Sequence, residues 1–120
     1  MRAINCKSKE PVLVYACKCL KNGKIYIGST QNLKRRIYQH KLESKNKHNS
    51  NRLYSDAKKY GWENFQWYII EEEIPCYLRN EREGFWIEFY NSTDVEVGYN
   101  NYNVNRRIPE LSDNIIYGRP

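Results

Sequence analysis

Residues 11–30 read PVLVYACKCLKNGKIYIGST, and this stretch has the pattern of two β-strands joined by a tight turn. β-Branched and aromatic residues fill its first half, which predicts a strand that closes at the turn sequence KNGK. Asn22 and Gly23 both accept a positive φ, so this pair is a strong hairpin signal. The second strand is then predicted over residues 24–29. The fold can be built outward from this hairpin.

The register of the hairpin decides which side chains share a face. A two-residue loop would pair Lys21 with Lys24, and a four-residue loop would pair Cys19 with Lys24. The longer loop also sets Tyr15 directly opposite Gly28. Side chains alternate along a strand, so both registers place the same four residues on one face, namely Tyr15, Cys17, Tyr26 and Gly28. Because glycine has no side chain, we expect it to leave space between the two phenols where a ligand can approach the backbone.

The segment STQNLKRRIYQHKLESKN, residues 29–46, is predicted to form a helix that begins after its capping residues. On this helix Arg36 and His40 lie one turn apart, beside a row formed by Leu33 and Ile37. A guanidinium held against the core could bind a phosphate with two hydrogen bonds. His40 could carry a proton or donate a further hydrogen bond. A solvated basic run and a structural histidine are the alternatives.

The rest of the chain predicts a second helix, a strand and a third helix. The second helix lies within residues 49–65, ends at Gly61 and takes one of three residues as its cap, Asn49, Ser50 or Asn51. The strand FQWYIIEEE follows, and Pro75 ends it. The third helix lies within residues 77–91, and four residues are predicted to form its core stripe, Leu78, Arg82, Phe85 and Phe89.

The totals favour one domain. The chain has 120 residues, which is enough for a single core, and it has no apolar run of membrane-spanning length. The opening sequence MRAINCKSKEP lacks the apolar stretch of a secretory signal. The protein is therefore predicted to be intracellular, in the cytoplasm or with the nucleic acid of a nucleoid or nucleus, and not to be secreted or bound to a membrane.

The four cysteines are predicted to be reduced, in keeping with a reducing compartment. Cys17 and Cys19 are one residue apart on a predicted strand, and neither Cys6 nor Cys76 forms a second close pair. This spacing argues against a structural zinc site. A cysteine-based zinc module stays as a minor alternative.

Charge is divided unevenly along the chain. Residues 1–60 hold 15 Lys or Arg against 3 Asp or Glu, a net +12, and residues 61–120 hold 5 against 11, a net −6. A half-chain of this charge suits a polyphosphate partner such as nucleic acid. A solvated, lysine-rich surface is the alternative.

Glu83 stands out among the carboxylates of the third helix because of its apolar neighbours at i+3, i+4 and i+7, Trp86, Ile87 and Tyr90. Burying a charge without a partner costs several kcal/mol on the order given for unpaired ions. Glu83 therefore needs a salt bridge to Arg36 or Arg79, hydrogen-bond donors, or a divalent metal ion.

Together these segments resemble the GIY-YIG nuclease family. LVY at 13–15 and YIG at 26–28 stand where its two motifs stand, with Arg36 eight residues after the second motif and Glu83 on a late helix. The segments GSTQNLKRRIYQHK, KKYGWENF, EREGFWIEFYNS and GYN are similar to those of phage intron-encoded homing endonucleases. The resemblance covers residues 11–103. One departure is the first motif, Leu-Val-Tyr here and usually Gly-Ile-Tyr in the family.

The resemblance implies an α/β (α+β) domain, with a three-stranded antiparallel sheet flanked by three or more helices. It implies residues 1–103 as the nuclease domain, with 104–120 as a C-terminal tail or linker. The implied activity is hydrolysis of DNA phosphodiester bonds with one Mg²⁺ or Mn²⁺ and no other small-molecule cofactor. An additional DNA-recognition module would read the target sequence, or a dimer would form to cut both strands. The alternative is a non-catalytic DNA- or RNA-binding module on the same scaffold.

The site residues follow by position from the resemblance. The catalytic set is Tyr15, Tyr26, Arg36, His40 and Glu83, of which Glu83 is also the metal ligand. Tyr15 is favoured as the proton acceptor with His40 as its helper, provided that nearby cations lower the phenol's pKa. The predicted substrate-binding set is Gly28, Lys34, Arg35, His48 and Asn100. A scaffold role is the alternative for Asn100.

Overall fold

The structure is a computed structural model that describes residues 10–49 and 51–103. Its strands are β1 (Val12–Cys19), β2 (Ile25–Thr30) and β3 (Phe65–Ile74). Its helices are α1 (Leu33–Glu43), α2 (Arg52–Tyr60) and α3 (Arg79–Tyr90), and short 3₁₀ turns, Trp62–Asn64 and Cys76–Leu78, precede β3 and α3. The sheet is antiparallel with the order β2–β1–β3. The predicted fold class is confirmed, whereas the predicted tail over 104–120 lies outside the described residues.

The hairpin adopts the four-residue loop. The Cys19 N–H donates to the Lys24 carbonyl at 2.9 Å, and the Gly23 N–H donates to the Cys19 carbonyl at 2.8 Å. Gly23 has a φ of 77°, the left-handed conformation expected of a turn glycine. Tyr15 consequently pairs with Gly28 across the two strands. The structure thus selects one of the two possible registers, and the predicted shared face is confirmed.

The sheet separates two cores. One core combines strand residues with side chains from α2 and the loop after α3, and its buried members are Cys17, Cys19, Leu53, Tyr54, Ala57, Phe65 and Tyr99. The other packs α3 against the opposite face, and its buried members are Val12, Val14, Ala16, Ile27, Ile74 and Ile87. Alternation along β1 divides its side chains between the two cores, as period-2 geometry requires.

Side-chain caps define where the first two helices begin. Asn32 Oδ1 accepts the Arg35 N–H at 3.0 Å, and Asn51 Oδ1 accepts the Tyr54 N–H at 2.8 Å. Asn51 is therefore the cap among the three candidates, of which Ser50 lies outside the described residues. Gly61 ends α2 with a φ of 87°, as predicted. Within 10–49 and 51–103, no helix has the length and apolarity that crossing a bilayer requires.

The predicted core stripe of α3 is wrong at three of its four positions, whereas Leu78 packs against the core as predicted. Phe85 and Phe89 are 46% and 65% exposed, whereas Gly84 and Ile87 face the sheet. Arg82 pairs with Glu71 at 2.9 Å instead of entering the core. Apolar residues lie almost all round this helix, so its periodicity does not define one face. Packing of Ile87 against the sheet decides instead which side of α3 faces the core.

The prediction of reduced cysteines holds for Cys17 and Cys19, which are free and buried. It is wrong for Cys76, which is disulfide-bonded. Buried thiols on β1 act as small apolar groups in the core, which is why their short spacing carries no ligand signal.

The outer edge of β2 is covered by the loop after α3. The Asn100 side chain accepts the Ile27 N–H and donates to the Ile27 carbonyl, both at 2.9 Å. Its Oδ1 also accepts the Ser92 hydroxyl at 2.8 Å, and Tyr99 N–H donates to the Ile25 carbonyl at 2.9 Å. Asn100 thus serves the edge strand as a neighbouring strand would.

Replacing Asn100 by Ala should lower the free energy of unfolding by about 2–4 kcal/mol, because two buried backbone groups of Ile27 lose their partners. Urea denaturation measures the change. Asn101→Ala is the matched control: this neighbour is exposed and, among the described residues, its side chain bonds only Arg52, so its loss should stay within about 0.5 kcal/mol. Equal losses in the two variants would contradict the role given to Asn100.

Candidate active site

A cavity of about 420 Å³ opens at the β2 edge of the sheet, where α1 and α3 approach this strand. Six of the predicted site residues line it, namely Tyr15, Tyr26, Gly28, Arg35, Arg36 and Glu83. The other lining residues are Ser29, Thr30, Gln31, Gln39 and Arg79. Side chains from both faces of the sheet therefore meet around one edge strand.

The four remaining predicted residues lie outside this lining. His40 is buried beneath it, at 2% exposure. Lys34 is exposed on α1, and His48 is exposed in the segment that follows this helix. Asn100 is buried at the edge of β2, where both ends of its amide bond the Ile27 backbone. That arrangement agrees with the scaffold alternative for Asn100.

Tyr15 is the most constrained side chain of the site. It is 1% exposed, and its Oη lies 2.7 Å from His40 Nε2. A Cβ built on Gly28 would stand only 2.5 Å from this Oη and 2.6 Å from the ring carbon that bears it. The space left by Gly28 is therefore occupied by the Tyr15 ring itself, rather than kept open for a ligand as the sequence analysis expected.

Burial dominates the acidity of both phenols. It raises the pKa of Tyr15 far above its ordinary value, and Tyr26 adds to the shift, while the Arg36 guanidinium opposes it. Burial likewise raises the pKa of Tyr26. The condition of a lowered phenol pKa is thus not met by the protein's own charges. A Tyr15 base would have to release its own proton as it accepts another.

His40 is suited to receive that proton because its imidazole is neutral. Burial, followed by repulsion from Arg36, lowers its pKa to about 3. Rings surround it, with centroids of Tyr26 at 5.5 Å and Trp67 at 5.6 Å. Its second nitrogen, Nδ1, lies 2.8 Å from Tyr54 Oη. Sequence reasoning missed Tyr54 because an aromatic residue on an amphipathic helix signals only core.

Arg36 projects from α1 into the cavity while its side chain stays 28% exposed. Its Nη1 lies 3.8 Å from Glu43 Oε1, and it also donates to Gln39 Oε1 at 3.4 Å. Both contacts are long, and the guanidinium also interacts with the Tyr15 and Tyr26 hydroxyls, so a ligand oxygen would share its donors with the two phenols. With Arg35 and Arg79 also in the lining, arginines outnumber the single carboxylate, and the cavity suits an anion.

Glu83 reaches the cavity from α3 and is held there through Ser29. The Ser29 hydroxyl donates to Glu83 Oε1, and Arg79 Nε donates to the same hydroxyl at 2.8 Å. Burial raises the pKa of the Glu83 carboxyl, and the Ser29 hydrogen bond, Arg79 and Arg36 partly offset the shift. No ion pair within 4 Å joins Glu83 to either arginine in 10–49 and 51–103, so the salt-bridge alternative does not describe this carboxylate. Ser29 was missed because its place before a helix indicates only capping.

The donor set at Glu83 fits a hard divalent cation that keeps most of its waters. Ser29 engages only Oε1, and no hydrogen bond from the described residues engages Oε2. No three His, Cys, Asp or Glu side chains converge on one point in that part of the chain, which a zinc cage would require. One carboxylate with substrate and water oxygens is how Mg²⁺ is commonly bound.

Comparisons with known proteins agree with this geometry. A family model described as the GIY-YIG catalytic domain matches residues 11–108. The solved catalytic domain of homing endonuclease I-TevI is 32% identical, with a TM-score of 0.64, and the match covers 76% of this chain and 98% of that one. A point variant of the catalytic domain of intron endonuclease I-TevI gives 29% identity and a TM-score of 0.68, over 78% and 95%. No curated protein sequence matches the chain.

Replacing Gly28 by Ala should destabilise the fold by about 1–3 kcal/mol, because the added methyl group overpacks the Tyr15 hydroxyl. The control is the same substitution in a Tyr15→Ala background, where the clash is absent and the added cost should nearly vanish. Urea denaturation of the four proteins gives the coupling energy. Additive costs would contradict the assigned contact.

The buried neutral His40 should make stability depend on pH. Below about pH 6.5 the unfolded chain binds a proton at this residue and the folded protein does not. The free energy of unfolding therefore decreases as the pH is lowered, by up to about 1.4 kcal/mol per pH unit. His40→Gln should remove this contribution between about pH 5 and 6.5, as measured by urea denaturation. His48→Gln, which changes an exposed histidine, should retain it. An unchanged slope in His40→Gln would show that His40 is protonated in the folded state.

Proposed function

This chain belongs to the GIY-YIG family of nucleases, and from that premise we propose that it hydrolyses DNA phosphodiester bonds with one divalent cation held at Glu83. The observation that carries the proposal is the cavity at β2, which gathers Arg36, Glu83 and two phenols around a space of about 420 Å³. Cationic donors, a carboxylate and a hydroxyl pair are the groups that phosphoryl hydrolysis uses.

Nucleic acid is favoured as the partner by the charge of the amino-terminal half, a net +12 over residues 1–60. Arg35 lines the cavity, and Lys34, its neighbour in the sequence, is exposed on α1. We assign both to phosphates next to the scissile one, together with the exposed His48. Such contacts position a backbone without reading sequence, so binding should weaken steeply with salt.

The scissile phosphate is assigned to the cavity beside Arg36. The guanidinium would neutralise the charge that builds on the non-bridging oxygens as water attacks phosphorus. Arg79 is already committed to the Ser29 hydroxyl and to the Ser29 carbonyl, at 2.8 and 3.0 Å. It therefore holds β2 and Glu83 in place, whereas the Arg36 guanidinium, which also contacts both phenols, is assigned to the substrate.

Proton removal from the attacking water is assigned to Tyr15. Its raised pKa excludes a standing phenolate, so its hydroxyl must pass its proton to His40 Nε2, 2.7 Å away, while it accepts one from water. The neutral imidazole makes this possible because one ring nitrogen has a free lone pair. The leaving oxygen then departs and takes up a proton from solvent.

Glu83 would hold the cation through Oε2, while Ser29 orients the carboxylate through Oε1. When bound, a Mg²⁺ or Mn²⁺ ion polarises the phosphate and stabilises charge on the leaving oxygen. The raised pKa of Glu83 reflects a carboxylate held in a buried place without a protein cation in contact. Such a group gains stability when a cation arrives.

Glu83→Gln should reduce the cleavage of supercoiled plasmid by at least about 1,000-fold in Mg²⁺, because the amide is uncharged and binds the cation poorly. Folding and weak DNA binding should remain. The control is Glu88→Gln, an exposed residue on the same helix, which should cleave like the unchanged protein. Single-turnover nicking with and without chelator measures all three proteins.

Strong Mg²⁺-dependent nicking by Glu83→Gln would remove the metal-ligand assignment. Retained DNA binding without nicking by the unchanged protein would instead favour the non-catalytic binding module. The two failures are distinct, because only the second affects the unchanged chain.

A further inference from the structure

We propose that Tyr54 and Glu43 form the outer half of a proton relay that begins at Tyr15. For each proton that the attacking water loses to Tyr15, the relay delivers one proton to Glu43. The relay would run from the cavity through His40 to the surface. It rests on the proposed function, because it needs Tyr15 to face the reacting water.

Four side chains from three elements form one unbroken hydrogen-bonded chain. Tyr15 Oη lies 2.7 Å from His40 Nε2, and His40 Nδ1 lies 2.8 Å from Tyr54 Oη. The Tyr54 hydroxyl donates to Glu43 Oε1 at 2.8 Å. These are ordinary lengths for strong hydrogen bonds, and no gap requires a bridging water.

The carboxylate at the outer end fixes the direction of every bond. An ionised carboxylate can only accept, so the Tyr54 proton must point to Glu43. Tyr54 Oη is then free to accept from His40 Nδ1–H, which leaves Nε2 with a lone pair. That lone pair accepts the Tyr15 hydroxyl, and the lone pairs of the Tyr15 oxygen serve the Arg36 guanidinium and a water in the cavity. Glu43 thus sets the histidine tautomer that a Tyr15 base needs.

The proton transfers balance along this chain. A water O–H bond breaks and its proton moves to Tyr15 Oη, while the Tyr15 proton moves to His40 Nε2. The Nδ1 proton moves to Tyr54 Oη, and the Tyr54 proton moves to Glu43 Oε1. The hydroxide oxygen bonds phosphorus as the bond to the leaving oxygen breaks, and Glu43 later releases its proton to solvent.

Burial differs between the two ends in the way a relay requires. His40 is 2% exposed and packed among rings, so a proton held there would be a buried charge. The Glu43 side chain is 49% exposed, and its Oε1 lies 3.8 Å from Arg36 Nη1. A proton that reaches Glu43 can leave to water. Tyr54 is the only link between these two residues in the chain of bonds just described.

The tautomer of His40 tests the direction of the relay in the unchanged protein, without any cleavage. Two-bond ¹H–¹⁵N correlation spectra of imidazole distinguish the two nitrogens. The relay predicts a proton on Nδ1 and none on Nε2 at neutral pH. A proton on Nε2 would overturn the proposal even if the protein is an active nuclease, and an inactive protein with the Nδ1 tautomer would point to failure of the proposed function instead.

Tyr54→Phe tests whether the outer half contributes to the rate. It removes the link but keeps Glu43 and its contact with Arg36. Single-turnover nicking should fall by about tenfold or more with DNA affinity unchanged. In the unchanged protein, a plot of the rate against the fraction of D₂O in the solvent should be curved, which indicates several moving protons. In Tyr54→Phe the plot should be a straight line.

Tyr60→Phe is the matched control, because this tyrosine lies on the same helix and packs on the same core outside the relay. It should keep both the rate and the curved isotope dependence. A Tyr54→Phe protein that nicks like Tyr60→Phe, or that keeps the curved dependence at a lower rate, would show that Tyr54 only supports the fold.

Discussion

The hydrogen bond between Tyr15 and His40 is the contact on which the rest of the site depends. It forms only because the hairpin register sets Tyr15 opposite Gly28, where the absence of a Cβ gives the ring its place. It also requires α1 to present His40 inward, one turn after Arg36. The same few residues therefore decide the register of the sheet, the position of the proposed base and the position of the arginine proposed to bind phosphate.

The edge strand β2 explains how Arg36 and Glu83 can line the same cavity without forming an ion pair with each other. Arg36 arrives from one face of the sheet and Glu83 from the other, and the strand stands between them. Ser29 holds the carboxylate from one side, and Arg79 reaches it only through that hydroxyl. The cavity thus keeps a net positive charge and one carboxylate oxygen that no described residue engages, a pairing suited to a phosphate and a cation together.

Most of the fold could be predicted from local sequence, whereas the site's hydrogen-bonded interior could not. The hairpin turn, the helix cap at Asn51 and the helix end at Gly61 depend on local backbone preferences, which the residue types at these positions indicate directly. The phase of α3 could not be predicted because apolar side chains surround that helix. The reason for Gly28 and the link through Tyr54 were missed because both depend on contacts between distant segments, which periodicity does not report.

Replacing Tyr15 by Phe tests the central claim most directly, since it removes one oxygen and leaves the ring in its place beside Gly28. Single-turnover nicking of plasmid DNA in Mg²⁺ should fall by at least about 100-fold, while DNA binding is kept and the free energy of unfolding falls by only about 1–3 kcal/mol from the unpaired His40. Cleavage at the rate of the unchanged protein would contradict the account, because the water would then lose its proton to some other group.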